Sequence, residues 1–247
     1  MGDFCMLLRS LSFASALCVA LLAGCASPVA HDGAADLVPV AQWAPDVVQD
    51  MRYFGAENFV GRPVAGYEAP QCWLSRPAAQ ALSEVQKTLR SHGLALKVFD
   101  CYRPQPAVDD FVRWGADLAD QRTKPMYYPR VPKQELFKRG YIAEKSGHSR
   151  ASTVDVTAVV VDAVRASQVV FGPLADGQEV DMGTPFDMFD ELSHTDNPDL
   201  SPDVRRNRQW LRSVMHSHGW RNLPEEWWHY TLVNEPYPQR YFVHPVR

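Results

Sequence analysis

Between Ser146 and Val161 a histidine and an aspartate, His148 and Asp155, stand with six residues between them where a polar Ser/Gly loop passes into a Val-rich run. An imidazole nitrogen and a carboxylate oxygen are two of the donors that hold Zn²⁺. A strand over the Val-rich run would fix the direction of Asp155, and the loop before it can fold His148 back toward the same ion. A third donor and a base are still needed, and Glu226-Trp227-Trp228-His229 offers both. Two imidazoles and one carboxylate leave a tetrahedral zinc ion an open position for water, the catalytic rather than the structural pattern. The ion lowers that water's pKa to about 7, and the free carboxylate of Glu226 can take its proton. An oxyanion forming at the attacked carbonyl then calls for a cationic donor. Arg103 can serve, although a structural salt bridge is its other use.

The elements must bring these residues together. On a regular strand Glu226 and His229, three apart, project to opposite faces, so Glu226 has to lie in a turn set up by Pro224. Leu94, Leu96 and Val98 alternate, which predicts a strand that delivers Asp100-Cys101-Tyr102-Arg103-Pro104 at its end. Helical spacing predicts helices over Ser75–Gly93, Ala107–Asp120 and Asp203–Gly219, and two short strands are expected around Trp220 and over Trp227–Val233. In the Val-rich run Val154, Val156, Ala158 and Val160 fall on one face and Asp155 on the other. Of the eight histidines, His31, His92, His216 and His218 read as surface or core residues, and His194 and His244 lie in loops. His148 alone reads more readily as a surface or hydrogen-bonded histidine than as a ligand; its pairing with Asp155 and the Glu-x-x-His motif argue for a ligand.

Ser146-x-His148 with Asp155, Tyr102-Arg103-Pro104, Met182-Gly183-Thr184-Pro185-Phe186-Asp187 and Glu226-Trp227-Trp228-His229-Tyr230 together resemble the D-alanyl-D-alanine dipeptidases, a family of zinc peptidases. The likeness runs from about Asp50 to Tyr241 in order and spacing. It implies one Zn²⁺ per chain on His148, Asp155 and His229, with Glu226 as general base and Arg103 stabilising the tetrahedral intermediate. It also implies that Asp187 holds the substrate ammonium, and that Tyr53, Tyr67 and Ser146 line the dipeptide pocket. The family's usual glycine three residues after the first histidine is Ala151 here, and its usual alanine two before the aspartate is Thr153. If that glycine needs a positive φ or a close backbone approach, Ala151 narrows the pocket or shifts the loop.

The expected fold is α+β: one domain over residues 42–247, with a central, mainly antiparallel sheet flanked by helices and the zinc site at the sheet. Before it, Arg9 and the apolar run Leu11–Leu22 lead to Leu22-Ala23-Gly24-Cys25, which resembles a bacterial lipobox. Residues 1–24 then read as a signal peptide, Cys25 as the lipidation site and residues 25–41 as a tether. This implies export to the periplasmic face of a bacterial membrane, with Ala26 after the cysteine favouring the outer one, and membrane contact only through the lipid. Of five cysteines, Cys72 and Cys101 remain in the folded domain and either pair as a disulfide or stay as two buried thiols. A net charge of −4 gives no basic face for nucleic acid and leaves a small dipeptide as the expected partner. The function read is zinc-dependent D-Ala-D-Ala hydrolysis in peptidoglycan turnover or salvage. The alternatives are a D,D-carboxypeptidase acting on longer wall peptides and a non-catalytic wall-peptide-binding lipoprotein.

Overall fold

The computed structural model describes Met1 and residues 36–247, the latter within one compact unit, Asp32–Arg247. The expected signal peptide, Cys25 and the first part of the tether lie outside the described residues. Leu37-Val38-Pro39 alternates into a strand, β1 (Leu37–Pro39), with Leu37, Val38 and Val40 buried. The described fold therefore includes Leu37–Pro39, which falls in the expected tether, because this short apolar run finds a partner strand.

A five-stranded sheet forms the centre. Its members are β2 (Val48–Gln49), β4 (Leu94–Asp100), β5 (Thr153–Val160), β6 (Trp220–Leu223) and β7 (Glu226–Leu232), in the order β2-β4-β5-β7-β6. Only β2 and β4 run parallel, so the sheet is mainly antiparallel as expected. A separate ribbon pairs β1 with β3 (Trp73–Ser75). The 16-residue helix α1 (Arg76–Ser91) buries Leu82, Val85 and Leu89, three positions at helical spacing, and packs against β4. Gly93 ends the turn after it with φ +73°, and a Cβ there would meet the Asp162 carbonyl at 2.5 Å, so both conformation and space require glycine. Shorter helices α2 (Gln105–Ala116), α3 (Lys124–Tyr127) and α4 (Ala163–Ala166) follow, and α5 (Pro202–Ser217) packs against β6 and β7.

β5 is buried along its whole length. One face carries Val154, Val156, Ala158 and Val160 and the other Thr153, Asp155, Thr157 and Val159, so burial on both sides also takes polar side chains out of water. Two ladders of the sheet are irregular, β4–β5 and β6–β7, while β5–β7 is regular. Val98 pairs with Val156 and Asp100 with Asp155, so two steps on β4 match one on β5. A bulge of this kind reverses which face the next side chain takes, and here it turns Asp100 to the face of Asp155. Beyond β7, Asn222 pairs with Tyr230 and Leu223 with Glu226, so one step on β6 spans four on β7. The alternation of β7 is interrupted between Glu226 and His229. Among the described residues no helix is long and apolar enough to cross a membrane.

Cys72 and Cys101 form a disulfide that ties the residue before β3 to the residue after β4, across a separation of 29 residues. Closing a loop of that length in the unfolded chain stabilises the fold by about 3–4 kcal/mol in the chain-entropy account. Replacing both cysteines by alanine is therefore expected to lower the urea-unfolding free energy by about that amount. An unchanged unfolding midpoint would show that the bridge constrains nothing.

Candidate active site

Asp100, Asp155 and His229 occupy one row across three neighbouring strands, since Asp155 is the cross-strand partner of both. Cross-strand partners share a face, so the central carboxylate is flanked by a carboxylate and an imidazole. His148 reaches the row from a 3-10 turn, Gly147–Arg150, that immediately precedes β5. Ser146 opens that turn, its hydroxyl oxygen accepting the His148 backbone N–H at 3.2 Å. Ala151 closes it at φ 58°, ψ 30°.

The three expected ligands converge. His148 Nε2 lies 3.3 Å from Asp155 Oδ1, His229 Nδ1 lies 3.2 Å from the same oxygen, and the two nitrogens are 3.4 Å apart. A tetrahedron built on metal–ligand bonds of roughly 2.0–2.1 Å has edges of about 3.3–3.4 Å, so these atoms outline one face of a zinc coordination sphere. Asp155 Oδ1 is buried and has no hydrogen-bond partner, a cost that a cation at the centre of the triangle would remove. The tautomer suits this role as well. His148 Nδ1 lies 2.7 Å from the Cys101 carbonyl, which can only accept, so the proton sits on Nδ1 and the lone pair of Nε2 faces the cluster. The residues therefore fit a zinc ion.

Charges in the cluster act on one another. Burial favours a neutral Asp155, but His148 and His229 outweigh it and hold the carboxyl well below the ordinary carboxylate range. Burial likewise works to lower His229, yet the neighbouring carboxylates of Asp155 and Glu226 push it up to about 9. Glu226 Oε2 lies 3.3 Å from His229 Nδ1, beside the triangle without being part of it.

Arg103 is anchored from behind. Its Nε donates to Asp100 Oδ2 at 2.8 Å, its Nη2 lies 3.6 Å from Asp155 Oδ2, and its guanidinium sits over the rings of Tyr53 and Phe111, 5.0 Å from each centroid. Burial opposes the charge, but the surrounding oxygens of Tyr53, Asp100, Tyr67 and Asp155 outweigh it and raise the guanidinium further. The salt bridge and the site role are therefore compatible in one residue.

A cleft of about 220 Å³ opens over these groups, lined among others by Tyr53, Arg103, Ser146, Asp187, Glu226 and His229. It falls below the roughly 300–1,000 Å³ that take drug-sized ligands, which suits a dipeptide. Asp187 stands in it at φ 62°, buried, accepting the Tyr53 hydroxyl at 2.8 Å. Burial, and then the charge of Asp155, push the Asp187 carboxyl well above its usual range. An arriving cation would favour its charged form.

Two expectations change. Tyr67 does not line the cleft: its hydroxyl donates to Asp100 Oδ1 at 2.6 Å, so it supports the aspartate that holds Arg103 rather than a substrate. Of the two outcomes expected for Ala151, a narrowed pocket or a shifted loop, the first does not occur, since neither Ala151 nor Thr153 lines the cleft. Both are fully buried away from its lining, and Thr153 shares a 2.9 Å hydroxyl pair with Thr231 on β7. What Ala151 carries is a left-handed backbone that glycine would adopt freely, a strain of about 1–2 kcal/mol. Asp100, the Cys101 carbonyl and Asn222 were not anticipated. The position of Asp100 immediately before Cys101-Tyr102-Arg103 was the signal available.

The peptidase M15 family described as D-Ala-D-Ala dipeptidase matches residues 33–247. Over 193 residues the chain is 40% identical to a D-alanyl-D-alanine dipeptidase of Enterococcus faecalis, covering 78% of this chain and 89% of that protein. It is 39% identical over 197 residues to one of Streptomyces coelicolor, covering 80% and 91%. A protein of the same name from Escherichia coli is 30% identical over 199 residues, covering 80% and 84%.

Proposed function

The chain belongs to the D-Ala-D-Ala dipeptidase family of M15 metallopeptidases, and from that premise we propose that it hydrolyses D-alanyl-D-alanine with one zinc ion held by His148, Asp155 and His229. The observation that carries the reading is the buried, unpartnered Asp155 Oδ1, triangulated by two imidazole nitrogens with a separate carboxylate, Glu226, beside it. The ion, when bound, supplies a Lewis acid for the scissile carbonyl and acidifies a water molecule. Glu226 takes the proton of the attacking water as its oxygen bonds to the peptide carbon. It returns that proton to the departing amine as the C–N bond breaks, and two D-alanine molecules result. Arg103, held by Asp100, aims a fixed cation at the oxygen that becomes negative. Because Asp100 and Asp155 fix it beforehand, little reorganisation accompanies the charge.

Substrate recognition follows from Asp187 and Tyr53. A free α-ammonium group placed against Asp187 gives a buried charge its partner, while an acylated amine leaves that carboxylate unpaired. Ser146 adds a hydroxyl at the cleft wall. Charge-assisted hydrogen bonds contribute about 1.5–3 kcal/mol, so Asp187→Asn is expected to raise KM for D-Ala-D-Ala by roughly 10–100-fold. Wild-type protein is expected to reject N-acetyl-D-Ala-D-Ala and muropeptides ending in D-Ala-D-Ala. Steady-state kinetics on the three substrates checks this, and efficient cleavage of the blocked substrates would instead support a D,D-carboxypeptidase.

The same reading places the protein outside the cytoplasm, as a lipoprotein on the periplasmic face of the outer membrane that meets dipeptide released from existing wall. Support comes from Leu22-Ala23-Gly24-Cys25 and from the Cys72–Cys101 bridge, a bond that persists in oxidising compartments. Cys25→Ala is expected to shift the protein from the membrane fraction to the soluble one. Retention of the variant in washed membranes would contradict lipidation at that residue.

A further inference from the structure

Glu226 and His229 are three residues apart on one strand yet meet at 3.3 Å, an arrangement regular β geometry forbids. The ladder irregularity in which one step on β6 spans four on β7 makes it possible, and one side chain bridges that irregularity. Asn222 Nδ2 donates to the Glu226 carbonyl at 3.0 Å and to the His229 carbonyl at 3.0 Å. Carbonyl oxygens only accept, so the NH₂ end must face them and the Oδ1 end must face away. There Thr195 Oγ1 donates to Oδ1 at 2.7 Å, and the Thr195 backbone N–H reaches the Pro224 carbonyl at 2.8 Å, on the turn that leads into Glu226. Thr195 is itself buried. The chain Thr195–Asn222 therefore fixes an amide whose two hydrogens hold the backbone of the two residues on which the site depends.

We propose that Asn222, oriented by Thr195, is a positioning residue that sets the distance between Glu226 and His229, and through it both zinc affinity and the turnover step. The proposal rests on the zinc-peptidase reading above. Asn222 touches neither substrate nor reacting atoms; it acts through the peptide groups of two residues that do. Supporting groups of this kind commonly carry about 10–100-fold in metal affinity or activity.

Asn222→Asp keeps the shape of the side chain and its bond from Thr195 but turns an acceptor oxygen toward two carbonyls. Expected are a zinc dissociation constant raised about 10–100-fold, measured by competition with a chromophoric chelator, and a fall in kcat of similar size at saturating zinc with KM within about twofold. Thr195→Val, which leaves the Thr195 backbone bond in place, should move both quantities in the same direction by a smaller factor. It decides the matter if Asn222→Asp does not fold. A lower melting temperature with unchanged zinc affinity and unchanged kcat would make Asn222 merely structural and overturn the proposal. Wild-type protein that binds no zinc would instead overturn the zinc reading and this inference together. Tight wild-type binding with unaltered variants would overturn only the role of Asn222.

Discussion

Glu226→Gln is expected to lower kcat for D-Ala-D-Ala by roughly 10²–10⁴-fold while the purified variant still carries one zinc per chain. Glutamine has nearly the volume of glutamate and can still hydrogen-bond, but it cannot take a proton at neutral pH. The candidate metal-binding triad of His148, Asp155 and His229 does not include Glu226, so metal binding should persist. Loss of zinc together with activity would mean that Glu226 is a ligand and the base lies elsewhere. Full activity would remove it from the mechanism.

Arg103→Lys carries the second large effect. An ammonium is a point charge on a flexible stem and cannot donate to Asp100 while presenting further N–H groups to the cleft beside Asp155. It also loses the stacking over Tyr53 and Phe111 that fixes the guanidinium plane. Removing a preorganised donor to a developing oxyanion costs about 10²–10³-fold in kcat, and the lysine variant is expected near that loss despite its conserved charge. Because Asp100 would then keep an imperfectly paired buried charge, thermal stability should fall too. A variant with near-normal kcat would return Arg103 to its other reading, a structural salt bridge.

Much of this site could be read in the sequence because its ligands sit at positions where a motif survives without geometry. His148 and Asp155 bracket the start of β5, and β5 itself reads as a strand from its apolar run. Glu226 is expected in the turn at Pro224, but it lies on β7, and it meets His229 because the β6–β7 ladder is irregular. Glu226 is the first residue of β7, directly after the turn, and the alternation is broken before His229. Which groups hold these residues was not legible. Period-two reasoning assigns faces on the assumption of an unbroken ladder, and the two bulges that turn Asp100 and Glu226 toward Asp155 violate it. Asp100 on a regular β4 would have shared a face with Val98 and pointed away.

The misplacement of Tyr67 has the same origin. A family motif carries a residue to the neighbourhood of a site, but whether its hydroxyl faces the cleft or the aspartate behind it depends on a packing arrangement with Tyr53 that spacing does not encode. Ala151 is the converse case. The sequence marked it as a departure, and the structure locates its consequence in backbone conformation, with a buried Cβ that never meets the pocket. The strand β1 was overlooked because three residues carry too little pattern to distinguish an edge strand from a tether.

The account depends most on the claim that His148, Asp155 and His229 hold the metal on which hydrolysis depends. Titrating chelator-stripped protein with zinc while following both bound metal and D-Ala-D-Ala hydrolysis tests it directly. The expected result is negligible activity without metal, restored in proportion to occupancy and complete at one zinc per chain, with His229→Ala abolishing the tight site. Full hydrolysis by the stripped protein, or unchanged zinc stoichiometry and affinity in His229→Ala, would contradict it.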